Sequence, residues 1–210
     1  MASLAEKYRP STLAEIAGHD ELKARLGRVL ARGAGGHAFW FSGPSGTGKT
    51  TLARIVARGV AEPLCIEERD AGTLTVSQID ELANRFSGRS CFAPFGWALI
   101  LNEAHGLRRD PMRRLLTWFD EPLAPWATVV FTTTTAGQLS LFESKDDTDA
   151  LLSRTLKFDL ESKGQCGAFA SHLERVAKAE GIPTTLDSLR MMVASKSYNL
   201  RACLMALETL

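Results

Sequence analysis

One eight-residue run, Gly43-Pro44-Ser45-Gly46-Thr47-Gly48-Lys49-Thr50, has residue types and a spacing (G-x-x-x-x-G-K-T) suited to holding phosphate. The glycines let backbone N–H groups curl around an anion at a helix N-terminus, where amide dipoles favour negative charge. Lys49 supplies a point charge to the terminal phosphates, and the Thr50 hydroxyl can ligate Mg²⁺. The context fits as well. His37-Ala38-Phe39-Trp40-Phe41-Ser42 reads as a buried strand before the loop, and the run from Thr51 to Ala57 as an amphipathic helix after it. A glycine-rich turn matching by chance would lack this strand–loop–helix order. The stretch implies binding of a nucleoside triphosphate.

A phosphate loop needs a carboxylate partner at the end of a neighbouring strand. Leu99-Ile100-Leu101-Asn102-Glu103 fits that need, with a polar pair at the C-terminal edge, where ligands sit in open α/β sheets. Glu103 would polarise an attacking water, and the residue before it normally helps to hold a hydrated Mg²⁺. Here that residue is Asn102 rather than Asp. An amide oxygen accepts a hydrogen bond from metal-bound water but brings no charge, so weaker metal holding and slower turnover are expected. A solvated strand-end carboxylate is the plainer reading of Glu103, and the loop upstream argues against it.

Strands and helices alternate around these residues. Thr12 and Glu15 have capping-box spacing before a short helix closed by Gly18, and Asp20 is expected to cap a helix through Leu30. A strand over 63–68 and a helix over 76–85 come next. The apolar run Trp97–Leu101 reads as a strand buried on both faces, and Pro111–Phe119 as a helix. Ala127–Phe131 reads as another buried strand, ending in Thr132 to Thr135. A polar connection over 138–149, a short helix over 150–154 and a last strand over 156–160 complete this part. From Ser162 only helical periodicity remains, in three pieces: 165–180, a piece after a Thr184/Thr185 cap to about 195, and one from about 199. The expected fold is α/β, a parallel sheet flanked by helices over residues 1–160, followed by a small three-helix lid over 161–210.

Composition narrows the class. Of 210 residues, 45% are hydrophobic and 23% charged, ordinary for a globular chain. The formal net charge of +1 gives no global field toward nucleic acid or a membrane, so any DNA contact must come from a local patch. Arg108, Arg109, Arg113 and Arg114 form one candidate, for which a solvated basic face is an equal alternative. The four cysteines show no C-x-x-C spacing, so neither zinc nor disulfides are expected. The longest apolar run is too short to span a bilayer, and a reduced, cytoplasmic protein is the expectation.

The motifs also resemble a known family. Glu6-Lys7-Tyr8-Arg9-Pro10, then Leu13, Ile16 and Gly18-His19, then the phosphate loop, then Asn102-Glu103-Ala104-His105 form an ordered series. It is similar to clamp-loader subunits of the AAA+ ATPase superfamily, both the bacterial gamma/tau and delta-prime type and the replication factor C small subunits. Phe119-Asp120-Glu121-Pro122 resembles the end of the family's helix after the acidic motif, Leu151-Leu152-Ser153-Arg154 its Ser-Arg-Cys motif with Thr155 where Cys is usual, and Asn199-Leu200-Arg201 its second-sensor segment.

The resemblance implies roles position by position. Tyr8, Arg9, Pro10 and Ile16 would line an adenine pocket, and residues 43–51, Thr51 included, would hold the phosphates. Thr134 would be the first sensor, chosen among four adjacent threonines. Arg154 would be an arginine finger acting on a neighbouring subunit's nucleotide, and Arg201 a sensor reaching the phosphates from the lid. The implied cofactors are ATP and Mg²⁺, held by Thr50 and Asn102. The implied partners are other AAA+ subunits, homo- or hetero-oligomeric, with primed DNA and a sliding clamp and no membrane. Two departures stand out. The zinc-binding cysteine group of the gamma/tau type has no counterpart around Cys65, and the family's third, collar domain has none before Leu210. The implied function is a Mg²⁺-dependent ATPase module for DNA-linked remodelling. A nucleotide-binding subunit that hydrolyses little and lends Arg154 to a partner is the rival, favoured by Asn102, and another AAA+ remodeller such as a Holliday-junction motor stands third.

Overall fold

The computed structural model describes residues 3–92, 94–134 and 145–210. Thr135 and most of the expected polar connection lie outside the described residues. The strands are β1 (His37–Ser42), β2 (Ile66–Asp70), β3 (Trp97–Asn102), β4 (Ala127–Thr133) and β5 (Leu156–Asp159). They pair in parallel in the order β2-β3-β4-β1-β5. The helices are α1 (Leu4–Lys7), α2 (Asp20–Leu30), α3 (Lys49–Arg58), α4 (Val76–Ser87), α5 (Arg109–Trp118), α6 (Lys145–Ser153), α7 (Cys166–Glu180), α8 (Leu186–Ser195) and α9 (Leu200–Leu207).

The period-two alternation of β1 explains the layering. Ala38 and Trp40 point into a core with Leu99, Leu101, Val129 and Phe131, closed by α4, α5 and α6. Phe39 and Phe41 point into the opposite core with Ile100, Val130 and Phe158, closed by α2 and α3. Both faces are buried, which is why these strands read as continuous apolar runs. A third core joins α7, α8 and α9 through Phe169, Leu173, Leu189 and Leu204, and Leu4 of α1 packs into it. The chain therefore has the P-loop α/β fold with a helical C-terminal region.

Several local expectations change. Residues 63–65 form a 3-10 turn and β2 starts only at Ile66, because Pro63 fixes φ and Cys65 N–H bonds Glu62 O. Thr12 makes no side-chain cap; instead Glu15 accepts from Ser11 N–H at 2.8 Å and from its hydroxyl at 3.1 Å. Asp20 is the first residue of α2, pairing with Lys23 at 2.7 Å, and the cap position belongs to His19 with φ 54°. α6 begins at Lys145, earlier than expected; Asp146 and Asp147 in its first turn suit the positive end of the helix dipole. β4 continues through Thr133, two residues past Phe131.

Phe39 is fully buried, its ring 6.4 Å from those of Phe41 and Phe158. Phe39→Ala is expected to cost about 3–5 kcal/mol, read from the urea midpoint at unchanged slope.

Candidate nucleotide-binding site

The loop between β1 and α3 opens at the C-terminal edge of the sheet. Ser42, the last residue of β1, pairs in register with Thr133 of β4 and Asp159 of β5, and Leu101 of β3 pairs with Phe131. The ends of β1, β3 and β4 thus come level, and the residues just beyond them meet. Gly48 caps α3 in the left-handed region at φ 104°. Gly46 has φ 76°, and a Cβ there would lie 1.8 Å from Asn199 Oδ1, so only glycine fits. Thr47 steadies the loop by donating to Pro44 O at 2.8 Å.

Lys49 is buried, donating to Gly43 O at 2.8 Å and Pro44 O at 2.7 Å. Burial pushes its ammonium down to about 8; the Glu103 charge opposes this and Arg201 adds to it. An anion in the loop would reverse that balance.

Asn102 lies beside Thr50. Its Oδ1 accepts from Thr50 Oγ1 at 3.4 Å and from Thr132 Oγ1 at 2.8 Å. Its Nδ2 donates to Glu68 Oε1 at 2.7 Å. Arg54 holds that same carboxylate through Nε at 2.8 Å and a terminal nitrogen at 3.3 Å. Partial burial alone would raise the Glu68 carboxyl, but the bonds from Arg54 and Asn102 outweigh it and hold it below its ordinary value. Oxygen donors on Thr50 and Asn102 suit a hard cation such as Mg²⁺, which keeps several waters and takes its remaining ligands from phosphate. Among the described residues no group of three His, Cys, Asp or Glu side chains is placed to hold a metal by itself.

Glu103 sits in the left-handed region at φ 52°, a conformation costing a non-glycine residue about 1 kcal/mol. Its Oε2 accepts from Thr134 Oγ1 at 3.1 Å and lies 3.4 Å from His105 Nδ1, which contacts Thr133 Oγ1 at 3.2 Å. Three successive threonines thus reach three different partners: Thr132 reaches Asn102, Thr133 reaches His105, and Thr134 reaches Glu103.

Beside the loop is a cleft of about 400 Å³. Tyr8, Arg9, Pro10 and Ile16 form one wall, Gly46 to Gly48 and Thr51 the floor, and Arg201 with Leu204 of α9 the other wall. Arg9 Nε is buried in that wall without a hydrogen-bond partner, a donor awaiting an acceptor. Asn199, the α9 N-cap, accepts from Ala202 N–H at 3.0 Å and presses on Gly46, which puts Arg201 in the first turn of α9 over the loop.

Arg154 is elsewhere. It donates to Asp120 Oδ1 at 2.9 Å and to Ala150 O. Asp159, the end of β5, pairs with Ser42, and Arg154 lies in the turn just before β5 begins at Leu156, so the length of β5, about 10 Å, separates it from its own loop. The structure therefore brings together every expected site residue except Arg154. The α5 arginines are largely paired: Arg113 lies 3.2 Å and Arg109 3.9 Å from Asp147, and Arg114 pairs with Asp80. Sequence reasoning missed Glu68 and Arg54, and placed Thr132 and Asn199 without their partners, because each acts through a contact between distant parts of the chain.

Residues 39–159 match the family described as ATPase family associated with various cellular activities (AAA). The chain belongs to the AAA family. It is 28% identical over 208 residues to the replication factor C small subunit of Halobacterium salinarum, covering 97% of this chain and 61% of that protein. It is 31% identical over 144 residues to DNA polymerase III subunit gamma/tau of Mycobacterium tuberculosis, covering 57% of this chain and 25% of that protein. The AAA chain thus spans about three-fifths of the first relative and a quarter of the second. In fold it is similar to the Thermotoga maritima RuvB Holliday junction branch migration motor, with TM-score 0.71 at 21% identity over 96% of this chain and 64% of that one. Among the described residues, no helix is long and apolar enough to cross a membrane.

Because free Lys49 titrates near 8 and phosphate would raise it, ATP binding above that pH takes up a proton. The protonated form binds more tightly. ATP affinity is therefore expected to fall about twofold from pH 7 to 8 and toward tenfold per unit above it, with Lys49→Met weak and flat over the same range in calorimetric titrations.

Proposed function

We propose that this AAA chain binds ATP with Mg²⁺ between the sheet edge and α9, hydrolyses it in an assembly of AAA+ subunits, and serves clamp-loader-type remodelling of DNA. The observation that carries the reading is the meeting of Lys49, Thr50, Asn102, Glu103 and Thr134 at one sheet edge beneath Arg201, with Arg154 beyond the other end of β5 and bonded to Asp120. Thr50 and Asn102 would hold the metal, which would supply charge neutralisation at the phosphates. Glu103 would accept a hydrogen bond from the attacking water, and Thr134 holds its carboxylate in position. Lys49 and Arg201 would neutralise charge on the phosphate oxygens from the same chain, and Arg154 from the neighbouring subunit. Tyr8, Arg9, Pro10 and Ile16 would hold the base, with the unpartnered Arg9 Nε offering a donor.

Similarity to replication factor C and DNA polymerase III subunits supports a role in replication, with a sliding clamp and primed DNA as partners. The pairing of Arg109, Arg113 and Arg114 with carboxylates argues that DNA contact, where it occurs, draws little on this helix. One observation favours a second reading, a subunit that binds ATP and turns it over slowly: Asn102 carries no charge of its own.

Steady-state ATP hydrolysis with Mg²⁺, followed over a range of protein concentrations with and without primed DNA, tests this. The rate per chain is expected to rise with concentration and to fall about 100-fold or more in both Glu103→Gln and Arg154→Ala, while ATP binding persists in each. A rate independent of concentration and of Arg154 would contradict assembly through the finger. ATP binding with no rate above the Glu103→Gln background, DNA present or absent, would select the second reading.

A further inference from the structure

Asn102 lacks the charge expected at its position, yet the amide is not isolated. On the α3 face of the sheet, hydrogen bonds link Thr132 of β4, Asn102 of β3 and Glu68 of β2 across three adjacent strands; the register sets Glu68 beside Ile100, so it reaches Asn102 diagonally, two residues along β3. A carboxylate can only accept, so the 2.7 Å contact to Glu68 must be made by the amide nitrogen. That fixes the orientation of the side chain and turns Oδ1 toward Thr50. Arg54 grips Glu68 from α3, the helix that carries Thr50 in its first turn, so the carboxylate, the amide and the hydroxyl are held as one connected set. Arg54 makes its shorter bond to Oε2, and Oε1 takes the bond from Asn102.

An amide that donates to an anion is polarised along its length, and its oxygen becomes a stronger acceptor. The negative charge itself lies one amide away from where an aspartate would carry it. Glu68 is conspicuous for a second reason. It reaches an amide on the next strand, whereas its acidic neighbours on β2 are engaged away from the site: Glu67 with Arg69 and with Arg85 of α4, and Asp70 with the N–H of Gly72.

We propose that Glu68 is a positioning residue for the metal–nucleotide site, orienting Asn102 and lending its oxygen the negative character that an aspartate would bring directly. The inference rests on the reading of residues 43–51 and 102–103 as a Mg²⁺–ATP site. The two positions together then act as a relocated acid. The charge sits on β2 and the amide on β3, and exchanging them preserves both the charge and the hydrogen bond.

The test is binding of a fluorescent ATP analogue to the full chain, titrated with Mg²⁺ and read as the Mg²⁺ concentration at half-maximal binding. Glu68→Gln keeps an acceptor for Asn102 and removes the charge; it is expected to raise that concentration about tenfold and to leave binding in EDTA unchanged. The exchanged pair, Glu68→Gln with Asn102→Asp, is expected to return it to within about twofold of the parent chain. Thermal unfolding compares the folding of the variants, and Glu68→Asp, too short to reach Asn102, gives an independent chain expected to show the same loss. An unchanged Mg²⁺ dependence in Glu68→Gln or Glu68→Asp, or a folded exchanged pair that stays as weak as Glu68→Gln, overturns the proposal. If the parent chain binds no ATP analogue at any Mg²⁺ concentration, the nucleotide-site reading fails and this inference with it.

Discussion

Everything at the candidate site depends on where β1 lies in the sheet. Flanked in parallel by β4 and β5, and buried on both faces by phenylalanines and a tryptophan, it delivers the glycine-rich loop to the edge where β3 and β4 also end. Parallel pairing makes this geometry unavoidable, because all strands then finish on one side, and polar residues just past their apolar runs must meet there. Asn102, Glu103 and Thr134 need no special device to find Lys49. The same register explains Arg154, which precedes β5 and is therefore held at the opposite edge. Sheet direction alone thus separates Lys49, Asn102, Glu103 and Thr134 from Arg154, the separation that the proposed division between a chain's own nucleotide and a neighbour's requires.

A second constraint links the loop to the helices. Asn199 caps α9 and simultaneously presses on Gly46, so the loop and the start of α9 cannot move independently. The N-terminal segment is tied to the same helices. Lys7 pairs with Glu180 of α7 at 2.6 Å, Tyr8 donates its hydroxyl to that carboxylate, and Leu4 N–H bonds Glu208 beyond α9. The cleft is consequently walled on one side by the phosphate loop and on two others by pieces anchored to the helical layer. A ligand that fills it contacts both, and its binding energy can set their relative position.

Much of this was legible in the sequence, because the decisive signals are local. The G-x-x-x-x-G-K-T spacing, the apolar runs before Ser42, Asn102 and Thr132, and the cap at Thr185 each follow from short-range backbone chemistry or burial on both strand faces. What was not legible depends on long-range contact. Glu68 reads as one acid among several on an edge strand, and only folding brings it to Arg54 of α3 and, diagonally across the sheet, to Asn102 of β3. Four threonines in a row carry no mark of which reaches Glu103; the end of β4 decides it for Thr134. The α5 arginines read as a basic patch because their carboxylates, Asp80 and Asp147, come from other helices. His19, in place of Asp20, takes the cap position of α2 because the chain turns there through a left-handed conformation, for which its residue type gives little signal.

The most direct test of nucleotide held jointly by the sheet edge and α9 is hydrogen–deuterium exchange of the whole chain with and without Mg²⁺–ATP. Joint holding predicts that amides of residues 43–50 and of residues 199–204 gain protection together, at the same nucleotide concentration. Protection confined to 43–50, with 199–204 exchanging as in the free chain, would contradict it.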